Sequence, residues 1–215
     1  MRIYKALARK RWTLLLALIL LAPAIPARAI PCDGYAFDAA SLPKQDVRVV
    51  LATDEAWRQT YGAGAEARAS QLLTDVNHIL EPARISLSIA EYRSWSSDRD
   101  SSSMSQLLAH LDDTVPARPG QLVIGLTGHQ ISKVDGLAHV GHIHLVARLH
   151  PDRPERDAVV VAHEIGHLLG AHHHKCEHDY QCVMAPEGFS LPARWCEHHI
   201  LEMQLAAAGL FAQAG

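Results

Sequence analysis

The stretch HEIGHLLGAHHH, residues 163–174, contains five of the 15 histidines of the chain. His163 and His167 are four residues apart, which places both imidazoles on the same face of a helix, one turn from each other. Both rings can therefore bind one metal ion about 2.0–2.1 Å from each nitrogen. Glu164 lies beside this face, where its carboxylate can hydrogen-bond a metal-bound water without taking a ligand position. The spacing thus predicts a metal site that activates water.

A third histidine can complete this site after a sharp turn of the chain. Gly170 follows the last apolar pair of the helix and can adopt the left-handed conformation that ends a helix. His173, three residues further on, can then return to the ion. Three protein ligands leave the fourth tetrahedral position open, which is typical of a catalytic zinc rather than a structural one. We therefore predict a single catalytic Zn²⁺ held by His163, His167 and His173.

The helix that carries these residues is predicted to be buried. Pro154 is a favoured first helical residue, and Glu155 suits the positive end of the helix dipole. Across residues 159–169 apolar side chains lie on nearly all sides, which is typical of a core helix. Polar groups are costly in such a helix unless they are paired. Two histidines and a glutamate there indicate a functional site.

Apolar periodicity elsewhere predicts a mixed sheet with helices packed against it. Strands are expected at residues 47–53, 84–92 and 121–127, and as two short pieces, broken near Gly141, across 136–148. Helices are expected at 64–80, at 104–111 and across 195–210, besides the metal-binding helix. This order, without an internal repeat or an interdomain linker, predicts one α+β domain over residues 47–214.

Residues 1–29 have the pattern of a signal peptide: a basic start, an apolar run at 12–25 and a small-x-small sequence at 27–29. A retained membrane anchor is the alternative, but the run is short for a bilayer and is interrupted by Pro23 and Pro26. Residues 30–46 would be a short lead-in or pro-segment. We expect an exported protein, periplasmic or extracellular, without stable membrane insertion after cleavage.

The predicted mature chain is acidic. Once the six basic residues of the first 29 are removed, 14 basic and 23 acidic residues leave a net charge of −9, with histidine neutral. This charge argues against nucleic acid and anionic membranes as partners. The remaining length is sufficient to bury a core without help. We expect a monomer that acts on a protein or peptide.

The full pattern, H-E-x-x-H-x-x-G-x-x-H, resembles the signature of the metzincin metalloproteases. The string CVMAP at residues 182–186 looks like the Met-turn of these enzymes and includes Met184. Together with RWCEHH at 194–199, it is most similar to the reprolysin (adamalysin) branch. The resemblance covers roughly residues 47–210.

The resemblance implies a zinc endopeptidase with a mostly parallel twisted sheet, an active-site helix and a small C-terminal subdomain. Glu164 would be the general base, and Met184 a structural floor beneath the zinc. A substrate would lie extended along an exposed strand, in contact with Leu137, Ala138 and His139, because an edge strand can pair with a peptide backbone.

All four cysteines lie in the predicted exported part, where disulfides form: Cys32, Cys176, Cys182 and Cys196. Their number allows three pairings. The resemblance suggests a disulfide between Cys176 and Cys182, which leaves Cys32 with Cys196. Alternatively, the Cys32 thiolate could bind the zinc and keep the enzyme latent.

Two functions are compatible with the motif. One is a secreted zinc-dependent endopeptidase in which Glu164 activates a zinc-bound water. The other is a non-catalytic exported zinc-binding protein on a protease-like fold. A metal buffer has no need for a carboxylate beside an open coordination position, so Glu164 favours the enzyme. The remaining histidines of these regions are predicted to be mainly exposed: His139, His142, His144, His172, His174, His178, His198 and His199.

Overall fold

The computed structural model describes residues 39–97, 100–130, 134–173, 182–185 and 194–212, and the fold is given for these ranges. Their strands are β1 (Gln45–Thr53), β2 (Ile85–Ser94), β3 (Gln121–Thr127), β4 (Gly136–Ala138) and β5 (His144–Arg148). Their α-helices are α1 (Glu55–Tyr61), α2 (Ala65–Leu80), α3 (Met104–Thr114), α4 (Pro154–Leu168) and α5 (Glu197–Ala212). The predicted α+β class and the order of its elements are confirmed.

The strands form one sheet in the order β2-β1-β3-β5-β4. Every neighbouring pair is parallel except β4 and β5, which are antiparallel. A parallel sheet is normally covered on both faces, and its strands are accordingly continuous apolar runs. This explains why all seven residues of β3 are buried. The predicted mostly parallel sheet is confirmed.

Successive residues of the central strands supply two separate cores, one on each face of the sheet. On one face Val49 and Leu51 pack with the apolar sides of α2, α4 and α5. On the other face Val50 and Ala52 pack with α3. This alternation follows from the opposite directions of successive side chains in a strand. The first core fixes α4, the helix of the metal-binding motif.

Helix α1 has no counterpart among the predicted elements. It follows β1 directly, and the carboxylate of its N-cap, Asp54, accepts a hydrogen bond from Trp57 N at 2.7 Å. The helix is only seven residues long, too short to show a helical repeat of apolar residues. An aspartate before a short polar run was the available signal, since aspartate is a favoured N-cap.

The predicted signal peptide at 1–29 and most of the predicted lead-in lie outside the described residues, so both stay predictions. Within the described ranges, none of the helices has the length and apolar character needed to cross a membrane.

Candidate metal centre

Helix α4 presents the first two histidines from inside the first core. All its residues from Asp157 to Leu168 are buried, as the apolar sequence predicted. The helix ends at a tight turn in which Ala171 N donates to Gly166 O at 2.9 Å. Gly170 has the expected left-handed conformation, with φ of 85°. This turn reverses the chain and returns His173 to the helix.

The three predicted ligand nitrogens converge on one point. His173 Nε2 lies 2.9 Å from His163 Nε2 and 3.2 Å from His167 Nε2. Two nitrogens bound to one tetrahedral zinc at 2.0–2.1 Å are about 3.4 Å apart. The observed separations are within about half an ångström of that value, so the arrangement fits a single small ion.

The opposite ring nitrogens decide which tautomer each histidine adopts. His163 Nδ1 lies 2.8 Å from Val183 O, and His167 Nδ1 lies 2.8 Å from Ala171 O. A carbonyl oxygen only accepts hydrogen bonds, so each Nδ1 carries the proton. In a neutral ring this leaves Nε2 with a lone pair aimed at the point of convergence. Carbonyls that orient ligands in this way are usual around bound metals.

Burial keeps these rings in the form that binds metal. Removal from water lowers the pKa of His163 to about 4 and also lowers the pKa of His167. Both rings are therefore neutral at neutral pH, and only neutral imidazole offers a lone pair to an ion.

Glu164 is buried beside this point, and two residues of β4 define its position. Ala138 N donates a hydrogen bond to the Glu164 carboxylate. A Cβ atom on Gly136 would lie 2.6 Å from Glu164 Oε1, so the lack of a side chain at Gly136 makes room for the carboxylate. Burial raises the pKa of Glu164 to about 8. The sequence placed Glu164 beside the ligands but gave no sign that Gly136 contacts it.

A Gly136→Ala substitution should therefore reduce activity without removing the metal. The new methyl group would lie 2.6 Å from Oε1 and 2.7 Å from Cγ of Glu164, and 2.9 Å from Val160 Cγ1, so it would displace the Glu164 side chain without contacting the three imidazoles. A displacement of about 1 Å at a reacting group can cost about 100-fold in rate, so we expect kcat to fall by roughly 10- to 100-fold.

Peptide-cleavage kinetics and zinc content measured on the same samples check this prediction. Gly64→Ala is the matched control, because a Cβ at Gly64 meets no atom within 4 Å. Unchanged kcat in the Gly136→Ala variant would show that the position of Oε1 does not limit the reaction.

The raised pKa of Glu164 also predicts how the stability of the metal-free protein depends on pH. Its folded-state pKa of about 8 lies above the ordinary value of 4.5. Between these values the folded protein binds more protons than the unfolded chain, so this carboxyl makes the free energy of unfolding decrease as the pH rises. The lowered pKa of His163 has the opposite effect, but that effect is largely complete above the ordinary value of 6.5.

Urea unfolding of metal-free wild type and Glu164→Gln at a series of pH values isolates the glutamate, since the histidine contribution is common to both. From about pH 7 to about pH 8.5, wild type should lose about 1 kcal/mol relative to the variant. A difference that is constant over this range would mean that Glu164 is already ionised in the metal-free protein.

Met184 lies beneath the metal-binding helix, where the resemblance placed a structural floor. Its side chain is fully buried. A Cβ on Gly166 of α4 would lie 2.7 Å from Met184 Sδ, so the glycine permits this close approach. Ala185 N donates to Cys182 O at 2.9 Å, which closes a tight turn around Met184. The turn also positions the Val183 carbonyl that orients His163.

The three residues predicted to contact substrate lie at the edge of the sheet nearest Glu164. Leu137 and Ala138 belong to β4, the last strand in the order, and both are half-buried. His139 follows the strand and is exposed. The structure therefore places them beside the site, and their contact with substrate stays a prediction.

The structure describes two of the four cysteines, Cys182 and Cys196, and the sulfur of each lies against His199. The predicted partners, Cys176 and Cys32, lie outside the described residues, so the pairings stay untested. The same holds for the alternative role of Cys32 as a zinc-blocking thiolate.

Two histidines predicted to be exposed are buried: His144 and His199. His144 lies in β5, with Nδ1 2.7 Å from Asp112 Oδ1 and Nε2 2.8 Å from Val115 O. The prediction for His144 was wrong because it assumed a strand with one exposed face. Strand β5 is covered on both faces of the sheet, so every residue in it is buried. His139, His142 and His172 are exposed, as predicted.

Comparison with known proteins gives a family match and likenesses to solved structures. The family model described as Reprolysin_5, metallo-peptidase family M12, matches residues 43–193. The fold is similar to a chain in the solved "Structure of a chaperone-substrate complex", with a TM-score of 0.61 and 13% identity. That alignment covers 79% of this chain and 35% of the other, so the likeness concerns the fold alone. No curated protein matches the sequence.

Proposed function

The chain belongs to metallopeptidase family M12, and on that premise we propose that it is an exported zinc-dependent endopeptidase that acts as a monomer on protein or peptide substrates. The observation that carries the proposal is the buried Glu164 carboxylate beside three converging imidazole nitrogens. Ligands alone would be enough to store a metal. Burying a carboxylate next to them costs free energy and adds nothing to metal storage. It does place a group there that can transfer protons.

The residues of the chain divide the chemistry between them. Zn²⁺ held by His163, His167 and His173 would supply a Lewis acid that polarises the scissile carbonyl and acidifies water. A cation at that point favours the ionised form of Glu164, against the effect of burial. The carboxylate can then accept a proton from the attacking water and later donate it to the leaving amine. The hydrogen bond from Ala138 N holds the carboxylate in place during both transfers.

The sheet edge offers a place for the substrate backbone. Among the strands that the structure describes, β4 is paired on one side, with β5, and its Gly136 and Ala138 already contact Glu164. An extended peptide that pairs with this edge would pass close to the carboxylate. We therefore assign Leu137, Ala138 and His139 to substrate binding.

The proposal is tested with protein that begins at Ile30, incubated with a mixed peptide library whose products are identified by mass spectrometry. We expect internal cuts that a chelator abolishes and added zinc restores. A Cys32→Ser variant is assayed in parallel, so that a latent form blocked by this thiol is detected as a gain of activity. If zinc-loaded wild type and Cys32→Ser both leave every internal bond intact, the chain is a non-catalytic zinc-binding protein. Removal of terminal residues alone would make it an exopeptidase.

Export is tested separately by expressing the full chain and sequencing the N-terminus of the protein in the periplasmic and extracellular fractions. We expect a mature chain that begins at Ile30. Full-length protein confined to the cytoplasm would reject the export proposal but not the peptidase proposal.

A further inference from the structure

A second group of metal-binding atoms lies apart from the three converging imidazoles. The Sγ atoms of Cys182 and Cys196 and a ring nitrogen of His199 all lie within 4.8 Å of one another. His199 Nδ1 is 3.2 Å from Cys182 Sγ and 3.0 Å from Cys196 Sγ. Cys182 and His199 are 4% and 1% exposed, whereas Cys196 is half-buried, so most of the group is shielded from solvent.

The surroundings of His199 determine which nitrogen faces the sulfurs as an acceptor. His199 Nε2 lies 2.9 Å from the carbonyl oxygen of His172. Because the carbonyl can only accept, Nε2 carries the proton, and Nδ1 of the neutral ring has the lone pair. His163 and His167 are also oriented by carbonyls, but there Nδ1 faces the carbonyl and Nε2 has the lone pair. Metal-binding histidines usually have this geometry: one ring nitrogen is held by a carbonyl, and the lone pair of the other points toward further metal-binding atoms.

The three atoms form one compact group. Both sulfurs approach the same nitrogen lone pair, and the Cys196 side chain is also within hydrogen-bonding distance of Cys182. A cation shared by the lone pair and two thiolates uses all three. Sulfur and nitrogen bound to one tetrahedral zinc, at 2.3 Å and 2.0–2.1 Å, are about 3.6 Å apart. The observed 3.0 and 3.2 Å are about half an ångström shorter than this value, and thiolates with an imidazole are donors that zinc sites in proteins use.

We infer that Cys182, Cys196 and His199 supply three of the ligands of a second Zn²⁺ ion, which holds two parts of the chain together. Cys196 and His199 are three residues apart at the start of α5, so their side chains leave the same face of the chain. Cys182 comes from the turn that contains Met184. The ion therefore joins this turn to α5, two segments that are remote in sequence.

The position of the second site ties it to the geometry of the first. Val183, which follows Cys182, supplies the carbonyl that orients His163. His172, whose carbonyl orients His199, precedes the third histidine ligand. Loss of the second ion should therefore make both the Val183 carbonyl and the segment at His172 less firmly held. We expect zinc to dissociate more easily from the three-histidine site as a result.

Metal analysis and Co²⁺ substitution test this inference. Wild type should hold two zinc ions per chain, and Cys196→Ser should hold one. The Co²⁺-loaded wild type should show a sulfur-to-cobalt charge-transfer absorption that Cys196→Ser lacks. His167→Ala should keep this absorption, because the sulfur ligands of the second site are unchanged. His142→Ala is the control, because its side chain is exposed and belongs to neither site, and it should retain both ions and the absorption.

The competing arrangement is a disulfide at either cysteine. Alkylation of the native wild-type protein followed by non-reducing peptide mapping distinguishes the two without relying on a variant that may not fold. Cys182 and Cys196 recovered as thiols, with two zinc ions, support the second site. One zinc ion, no charge-transfer absorption and a disulfide at Cys182 or Cys196 overturn it. Two zinc ions in a chain that cuts no peptide, either as wild type or as Cys32→Ser, would reject the peptidase proposal and still support this site.

Discussion

Replacement of Glu164 by glutamine will reduce the rate of peptide hydrolysis by on the order of a thousandfold while the zinc stays bound. Glutamine has nearly the same shape as glutamate and can still accept the hydrogen bond from Ala138 N, but it cannot take a proton from water. General acid–base groups typically contribute 10²–10⁴-fold to a rate, and Glu164 is the group assigned to both proton transfers. The three imidazole ligands are unchanged, so metal binding should be preserved.

Single-turnover kinetics on a peptide identified in the library, with zinc determined on the same preparation, measure this effect. Glu155→Gln is the matched control: it makes the same chemical change on the same helix, at an exposed position in the first turn. The control should retain wild-type kcat/KM. If Glu164→Gln retains more than about a tenth of the wild-type rate, the proton is transferred by another group and the proposed mechanism is wrong.

Replacement of His167 by alanine will remove the catalytic zinc and abolish activity. One of three protein ligands is lost. Changes to groups that merely orient a ligand already cost 10- to 100-fold in metal affinity, so the loss of a ligand should cost more than about 100-fold. The variant also leaves the Ala171 carbonyl without its buried donor, which should lower the free energy of unfolding by about 1–3 kcal/mol.

Calorimetric titration with zinc measures the loss of affinity. The melting temperature with and without zinc measures the loss of stability. The stabilisation that zinc gives through this site should disappear, because an ion stabilises a protein only when it binds the folded state. His172→Ala is the control, since its side chain is exposed and its backbone carbonyl remains to orient His199. If His167→Ala keeps wild-type affinity at this site, His167 is not a ligand.

The sequence by itself determined the order of the strands and of the α-helices other than α1, and it selected the three histidines whose ring nitrogens converge. Both depend on local patterns. Apolar periodicity distinguishes strands from helices within a few residues. Residues four apart must share a helix face, so His163 and His167 could be paired without knowledge of the fold. The turn at Gly170 is also local, which is why His173 could be chosen among three consecutive histidines.

The tertiary structure alone decided how remote segments support that site. The contact of Gly136 with Glu164 depends on which strand lies next to α4, and the approach of Met184 to Gly166 depends on how the turn packs beneath the helix. Neither relation has a fixed spacing along the chain. Short-range sequence patterns therefore cannot encode them.

The burial of His199 and its place between Cys182 and Cys196 have the same origin. The sequence showed the cysteines and the histidine but predicted an exposed ring for His199. Exposure is a property of the packed molecule, because it depends on which elements cover a residue. The sequence thus determined the groups that can perform the chemistry, whereas the packing of the sheet edge, the turn around Met184 and α5 decided which of them meet.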